Sequence, residues 1–208
     1  MAGGDPNLSK LLKWSIENQD DYSGPKTERE LDPKLLASLF GGPSEADLMK
    51  AAMECITSDD PEVTLESKLT AFDNFEQLIE SIDNANNIAN LSLWTPLLDC
   101  LAHDESEIRR MAAWCVGTAV QNNVKSQERL LAMGGIPTLV NMALDEQEDK
   151  GVRKKSVYAL SSACRNYQPA MDLCTDHLAQ KGRDHGKIDA EDMSAVDAVL
   201  NPIKEAVQ

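Results

Sequence analysis

The chain has 208 residues, 42% of them hydrophobic, which is enough for one substantial core with a less ordered extension beside it. A formal net charge of -15 and a sequence pI near 4.5 set most of the surface against polyanions and exclude nucleic acid as an expected partner. No run approaches the roughly 18–20 continuous apolar residues of a membrane span, and no basic-then-apolar leader opens the chain, so a cytoplasmic protein without membrane association is expected.

Aromatic residues make up only 4% of the chain while Ala, Leu, Met and charged residues dominate, a balance that favours helix over sheet and predicts an all-α fold. The cysteines Cys55, Cys100, Cys115, Cys164 and Cys174 are odd in number, widely spaced and set in apolar helical patterns, as reduced core thiols would be. His103, His177 and His185 share no ligand spacing with them. Neither a metal nor a cofactor is expected.

In chain order, residues 1–44 come first and are poor in large apolar side chains and rich in Gly and Pro, which predicts a flexible segment. Two islands interrupt it. Leu8, Leu11, Leu12, Trp14 and Ile16 form a short amphipathic stretch, and a second runs from Leu31 to Phe40 before the Gly41-Gly42-Pro43 stop. The first reads either as a recognition segment that orders on binding or as an anchor that folds back on the core.

A core is expected over residues 45–180. Ser44 is placed to cap a helix whose apolar stripe is Leu48, Met49, Ala52, Met53 and Ile56. Asp59-Asp60-Pro61 ends it, and a longer helix is predicted over Thr64 to Ile82. The following Asp83-Asn84-Ala85-Asn86-Asn87 run reads as a helix stop or as a contact site.

An internal repeat then organises the chain. With Leu65–Ile82, Glu107–Val124 and Gly151–Gln168 in register, Phe72, Trp114 and Tyr158 correspond, spaced by 42 and then 44 residues. In the last two copies Ile108 matches Val152, Arg109 matches Arg153, Cys115 matches Ala159, Ala119 matches Ala163 and Asn122 matches Asn166. A shorter apolar helix precedes each, with Pro96 and Pro137 in its first turn, where a missing N–H costs nothing. This period predicts an armadillo- or HEAT-like right-handed superhelical solenoid, in which the long helices line the concave side.

The rungs of that side read Phe72 and Glu76, then Trp114, Thr118, Gln121 and Asn122, then Tyr158, Ser162, Arg165 and Asn166. Aromatic, Asn and Arg side chains on a rigid face suit a protein interface. The aromatic positions equally suit helix packing, and an Asn near a helix end equally suits a cap. Residues 181–208 are predicted as an exposed linker followed by a capping helix over Ala190–Leu200, interrupted at Asn201-Pro202. No phosphate cradle, nucleophile elbow or metal motif is present, and the pairs Asp20-Asp21 and Asp59-Asp60 have no apolar pocket to tune them, so no enzyme is expected.

The runs Ala71 to Glu76, Asp83 to Asn87 with Leu93-Trp94, Gly117 to Asn123, and Tyr158 to Ser161 with Arg165-Asn166 resemble the fungal Fes-type exchange factors. These belong to the armadillo family of heat-shock-protein-70-binding proteins. Leu11-Leu12-Lys13-Trp14-Ser15-Ile16 is similar to that family's opening motif, and the likeness spans roughly residues 8 to 170. The resemblance implies a non-enzymatic cofactor that grips the chaperone's nucleotide-binding domain with its concave face and promotes ADP release; a monomer is expected. It carries the interface to Ala85, Asn86 and Asn87 together with the ladder residues. It also assigns Leu11, Leu12, Trp14 and Ile16 to imitating bound client at the peptide groove. Longer members carry a further armadillo unit where this chain loses the pattern after Cys174. A generic armadillo scaffold or peptide receptor without exchange activity is the other reading of the same ladder.

Overall fold

All regular structure among the described residues of the computed structural model, Gly24 and residues 41–207, is helical. Leu11, Leu12, Trp14, Ile16 and the Leu31–Phe40 island lie outside the described residues. The chain divides into two units at Ser44/Glu45, and every helix among the described residues belongs to the second.

The ten α-helices among the described residues are, in order, α1 Glu45–Ile56, α2 Leu65–Ile79, α3 Ile82–Asn90, α4 Trp94–Asp99, α5 Ser106–Val120, α6 Val124–Ala132, α7 Gly135–Leu144, α8 Lys150–Cys164, α9 Gln168–Gln180 and α10 Met193–Glu205. A 3-10 turn, Cys100–Ala102, extends α4. The three longest helices, α2, α5 and α8, stack side by side as a ladder, with α1 beside α2 and α10 beside α8. Between successive ladder helices run the pairs α3–α4 and α6–α7. This is the helical solenoid that the repeat predicts.

The ladder follows from side-chain pattern and caps. Thr64, Asn123, Asp149 and Asp192 each accept from a backbone N–H in the first turn of α2, α6, α8 and α10, satisfying donors that have no partner inside the helix. The central helix α5 has partners on both sides and buries Ile108, Met111, Ala112, Ala113, Cys115, Val116, Ala119 and Val120. Each large aliphatic or Phe side chain taken fully from water contributes about 1.5–3 kcal/mol, so Phe72, Phe75, Ile108 and Leu160 hold adjacent rungs together.

The repeat is also visible in the backbone. Asn122 and Asn166 end α5 and α8 in the left-handed region, at φ 51 and 57. The next residues, Asn123 and Tyr167, are extended at φ -130, ψ 91 and φ -137, ψ 91. Asparagine tolerates positive φ better than most side chains, so its recurrence marks the turn that leads out of each ladder helix. Arg109 and Arg153 are likewise equivalent in place: Arg109 donates to the carbonyls of His103 and Asp104, and Arg153 to that of Ala143. Both guanidiniums fasten the start of a ladder helix to the backbone that precedes it.

Four local expectations are corrected. The helix predicted over Thr64–Ile82 stops at Ile79, and Ile82, 59% exposed, instead opens α3. The Asp83–Asn87 run is therefore helical and not a stop, because burial of Asn84, Ala85 and Ile88 outweighs the weak helix propensity of Asn and Asp. Leu48, 42% exposed, faces out from the stripe of α1. Pro202 lies inside α10 near its end, on the exposed side, and does not interrupt it.

Candidate functional site

Polar contacts cross the ladder from rung to rung. From α2, the buried carboxylate of Glu76 accepts a 2.7 Å hydrogen bond from the Thr118 hydroxyl of α5. One turn before Thr118, the half-buried indole of Trp114 receives the ammonium of Lys155 from α8, 3.8 Å from the ring centroid. The same ammonium lies 5.6 Å from the centroid of Tyr158, one turn further along α8. The Tyr158 hydroxyl in turn donates to Gln121 Oε1 at 3.2 Å.

The close approach of α5 and α8 depends on Gly117. A Cβ there would come within 2.5 Å of two ring carbons of Tyr158 and 3.1 Å of the Ala159 backbone. Glycine's helix penalty of about 1 kcal/mol is accepted at this position because only a missing side chain lets the Tyr158 ring lie against α5. Burial first, then repulsion from Arg110, pushes the Lys155 ammonium below the ordinary lysine value, while Glu76 and Cys115 oppose the shift. Arg110 itself is turned toward Glu107 at 2.6 Å.

At the far end of the ladder Arg165 joins α8 to α10. Its Nε donates to the Ser161 hydroxyl at 2.9 Å, one terminal nitrogen lies 3.2 Å from Met193 Sδ and the other pairs with Asp197. Beside this brace lies a cleft of about 560 Å³ lined by residues of α8 and α10, among them Lys154, Tyr158, Leu200 and Lys204. The carbonyl ends of α8 are met from behind by the buried Gln127 amide, which donates to the carbonyls of Ser162, Ala163 and Arg165.

The predicted interface residues thus divide. Glu76 with Thr118, Trp114 and Tyr158 through Lys155 with Gln121, and Arg165 with Asp197 form three neighbouring sets of contacts on or beside the ladder, and Ser162 is half-buried on α8. Phe72 is closed to solvent at 0% exposure, so as folded it supports the face from beneath and cannot touch a partner. Ala85, Asn86 and Asn87 lie on α3, outside the ladder helices. Ala85 is only 2% exposed, Asn86 buries an amide oxygen that has no hydrogen-bond partner, and Asn87 accepts from Asn90. Asn122 and Asn166 are exposed at the turns, their recurrence explained by backbone conformation.

Sequence reasoning missed Lys155, Lys154 and Asp197, and it included Gly117 in a run without giving it a packing role. One signal was available. Arg153-Lys154-Lys155 sits early in α8, where the helix dipole disfavours cations, in a chain with a net charge of -15. A basic run in so unfavourable a place points to a use outside the helix. The five thiols are free, four of them buried, and burial pushes the Cys100 thiol up to about 11, so they behave as core groups. Among the described residues no group of three or more His, Cys, Asp or Glu is placed to hold a metal ion, and no helix is long and apolar enough to cross a membrane.

Comparisons with known proteins cover both halves of this chain. Residues 8–88 match the family described as nucleotide exchange factor Fes1, and residues 84–178 match the SIL1/FES1/HPBP1 C-terminal domain. The Hsp70 nucleotide exchange factor FES1 of Gibberella zeae is 63% identical over 208 residues, covering 98% of each chain. The Hsp70 nucleotide exchange factor fes-1 of Neurospora crassa is 51% identical over 239 residues, covering 96% of this chain and 97% of the relative. Among solved structures, that of an engineered protein superposes with a TM-score of 0.56 over 76% of this chain and 62% of its own, at 18% identity, a likeness of fold alone.

Proposed function

Because the chain belongs to the Fes1 family of nucleotide exchange factors, we propose that it is an Hsp70 co-chaperone that docks its ladder face on the chaperone's nucleotide-binding domain and promotes release of ADP. The observation that carries this reading is the pair of inter-rung contacts Glu76–Thr118 and Trp114–Lys155–Tyr158–Gln121, which meet along α5. It lies within the two matched regions and offers a firm, partly apolar surface with fixed polar groups. Aromatic and long basic side chains held by neighbours lose little freedom on binding, which suits them to an interface centre.

Exchange follows from differential binding and needs no bond chemistry. A factor that grips the nucleotide-empty conformation more tightly than the ADP-bound one moves the equilibrium toward the empty state, whereas equal grip on both moves nothing. By linkage, ADP weakens the complex by the same factor with which the complex weakens ADP, typically about 5- to 150-fold for a coupling of 1–3 kcal/mol. The protein acts in this scheme as a cytoplasmic monomer without catalytic residues, cofactor or metal. Leu11, Leu12, Trp14 and Ile16 form an apolar segment suited to the chaperone's peptide groove, where it would compete with bound client.

Calorimetric titration of the chain against the Hsp70 nucleotide-binding domain, with and without saturating ADP, tests the proposal. The expected result is an affinity weakened by ADP within the range above. Equal affinity in both conditions would leave only an armadillo scaffold. Serine substitution of Leu11, Leu12, Trp14 and Ile16 is expected to slow release of a fluorescent client peptide and leave ADP release unchanged.

A further inference from the structure

We infer that the cleft between α8 and α10 is a second docking site, one that receives a carboxylate-bearing segment of the chaperone's nucleotide-binding domain. The inference rests on the exchange reading and adds to it a place and a chemistry. Helix α10 stands next in the ladder after α8, held by the buried Val196, Val199, Leu200 and Ile203. A space of about 560 Å³ is lined by residues of both helices.

The charges around that space are unbalanced. Arg165 is spent on Ser161, Met193 and Asp197, so the one carboxylate lining the cleft is already engaged. Lys154 and Lys204, from opposite walls, are exposed and form no ion pair among the described residues. Two unpaired lysines facing one cleft are unexpected in a chain with 35 acidic and 20 basic residues, where carboxylates to pair with are abundant. Their arrangement is complementary to an anion from outside.

The rest of the lining selects the kind of anion. Tyr158 and Leu200 give the cleft an apolar floor, which suits a folded protein segment carrying Asp or Glu beside an apolar residue. A nucleic acid would have to approach a molecule of net charge -15, which opposes it at every distance within the screening length. Tyr158 also belongs to the Lys155 and Gln121 contacts, so the cleft continues the ladder face and one partner surface can cover both. Arg165 acts here as a positioning residue, keeping α10 at the distance that holds the cleft open.

The test is a titration of the full chain carrying Lys154→Glu and Lys204→Glu against the Hsp70 nucleotide-binding domain, at about 50 and about 200 mM salt. At the lower salt the double reversal is expected to bind at least about tenfold more weakly than the wild type, with a flatter salt dependence. Lys154→Gln with Lys204→Gln should fall between. Both lysines are exposed, so thermal midpoints should stay at the wild-type value and separate lost binding from lost folding. Binding within about twofold of wild type at both salts, by a chain that still accelerates ADP release, would overturn the cleft alone. A wild-type chain that neither binds nor accelerates release would overturn the exchange reading and the cleft with it.

Discussion

The ammonium of Lys155 stands 3.8 Å from the centre of the Trp114 indole, joining α8 to α5 on the exposed side of the ladder. Such a contact is worth about 0.5–2 kcal/mol, depending on how far it is withdrawn from water. Lys155→Met keeps most of the stem and removes the charge. It is expected to lower unfolding free energy by no more than about 1 kcal/mol while weakening chaperone binding about tenfold, because the cation is part of the proposed docking face. Urea unfolding and a binding titration on the same preparation separate the two effects. A variant that binds normally would remove Lys155 from the interface.

Gly117→Ala puts a methyl carbon where only 2.5 Å separates it from the Tyr158 ring. The gain in helix propensity of about 1 kcal/mol is outweighed by forcing two helices apart, and a net loss of about 1–3 kcal/mol is expected. Combining it with Tyr158→Ala should recover most of the loss attributable to the clash. Additive losses in that double-mutant cycle would show that the ring is not what the glycine accommodates.

Thr118→Val removes the 2.7 Å donor to Glu76 with little change in volume. The carboxylate, buried on α2, is left without that partner, and the expected cost is about 1–3 kcal/mol. Glu76→Gln should be milder, since an amide oxygen still accepts from the hydroxyl. Equal stability of Thr118→Val and the wild type in urea would show that solvent reaches the carboxylate and replaces the bond.

Acid stability should depend on Glu148. Arg109 donates two 2.7 Å bonds to its carboxylate, and the side chains are only 20% and 10% exposed. The hydrogen bonds from Arg109 hold the Glu148 carboxyl below its ordinary value, against the opposing effect of burial. In the unfolded chain glutamate titrates near about 4.3, so in acid the unfolded state binds more protons than the folded one. The stabilisation is therefore complete above that pH and is lost as pH falls through the depressed folded value. Glu148→Gln should cost about 1.5–3 kcal/mol at neutral pH and flatten the acid limb of the urea midpoint plotted against pH. Superimposable acid limbs would contradict this assignment.

The repeat made the ladder legible, because each long helix reuses one set of contacts and so repeats one pattern of side chains. Trp114 and Tyr158 could be aligned from spacing alone, and Asn122 with Asn166 could be aligned but not explained, since the left-handed turn that favours asparagine has no mark in periodicity. Phe72 aligned equally well yet lies in the interior. Its rung lies between α1 and α5, that of Trp114 between α2 and α8 and that of Tyr158 between α5 and α10, and periodicity does not record which neighbour covers a position. The Asp83–Asn87 run misled because propensity is local, whereas α3 is made helical by what Asn84, Ala85 and Ile88 pack against. The Lys155 contact was invisible for a related reason: a lysine's surroundings are supplied by another helix 41 residues away in sequence.

The central claim is that the ladder face drives exchange, and release of fluorescent ADP from the Hsp70 nucleotide-binding domain measures it directly. With increasing wild-type chain the release rate should rise and saturate, while a folded chain carrying Trp114→Ala and Lys155→Glu should leave it near the basal rate. A wild-type chain that does not accelerate release, or a double variant as active as the wild type, would contradict the account.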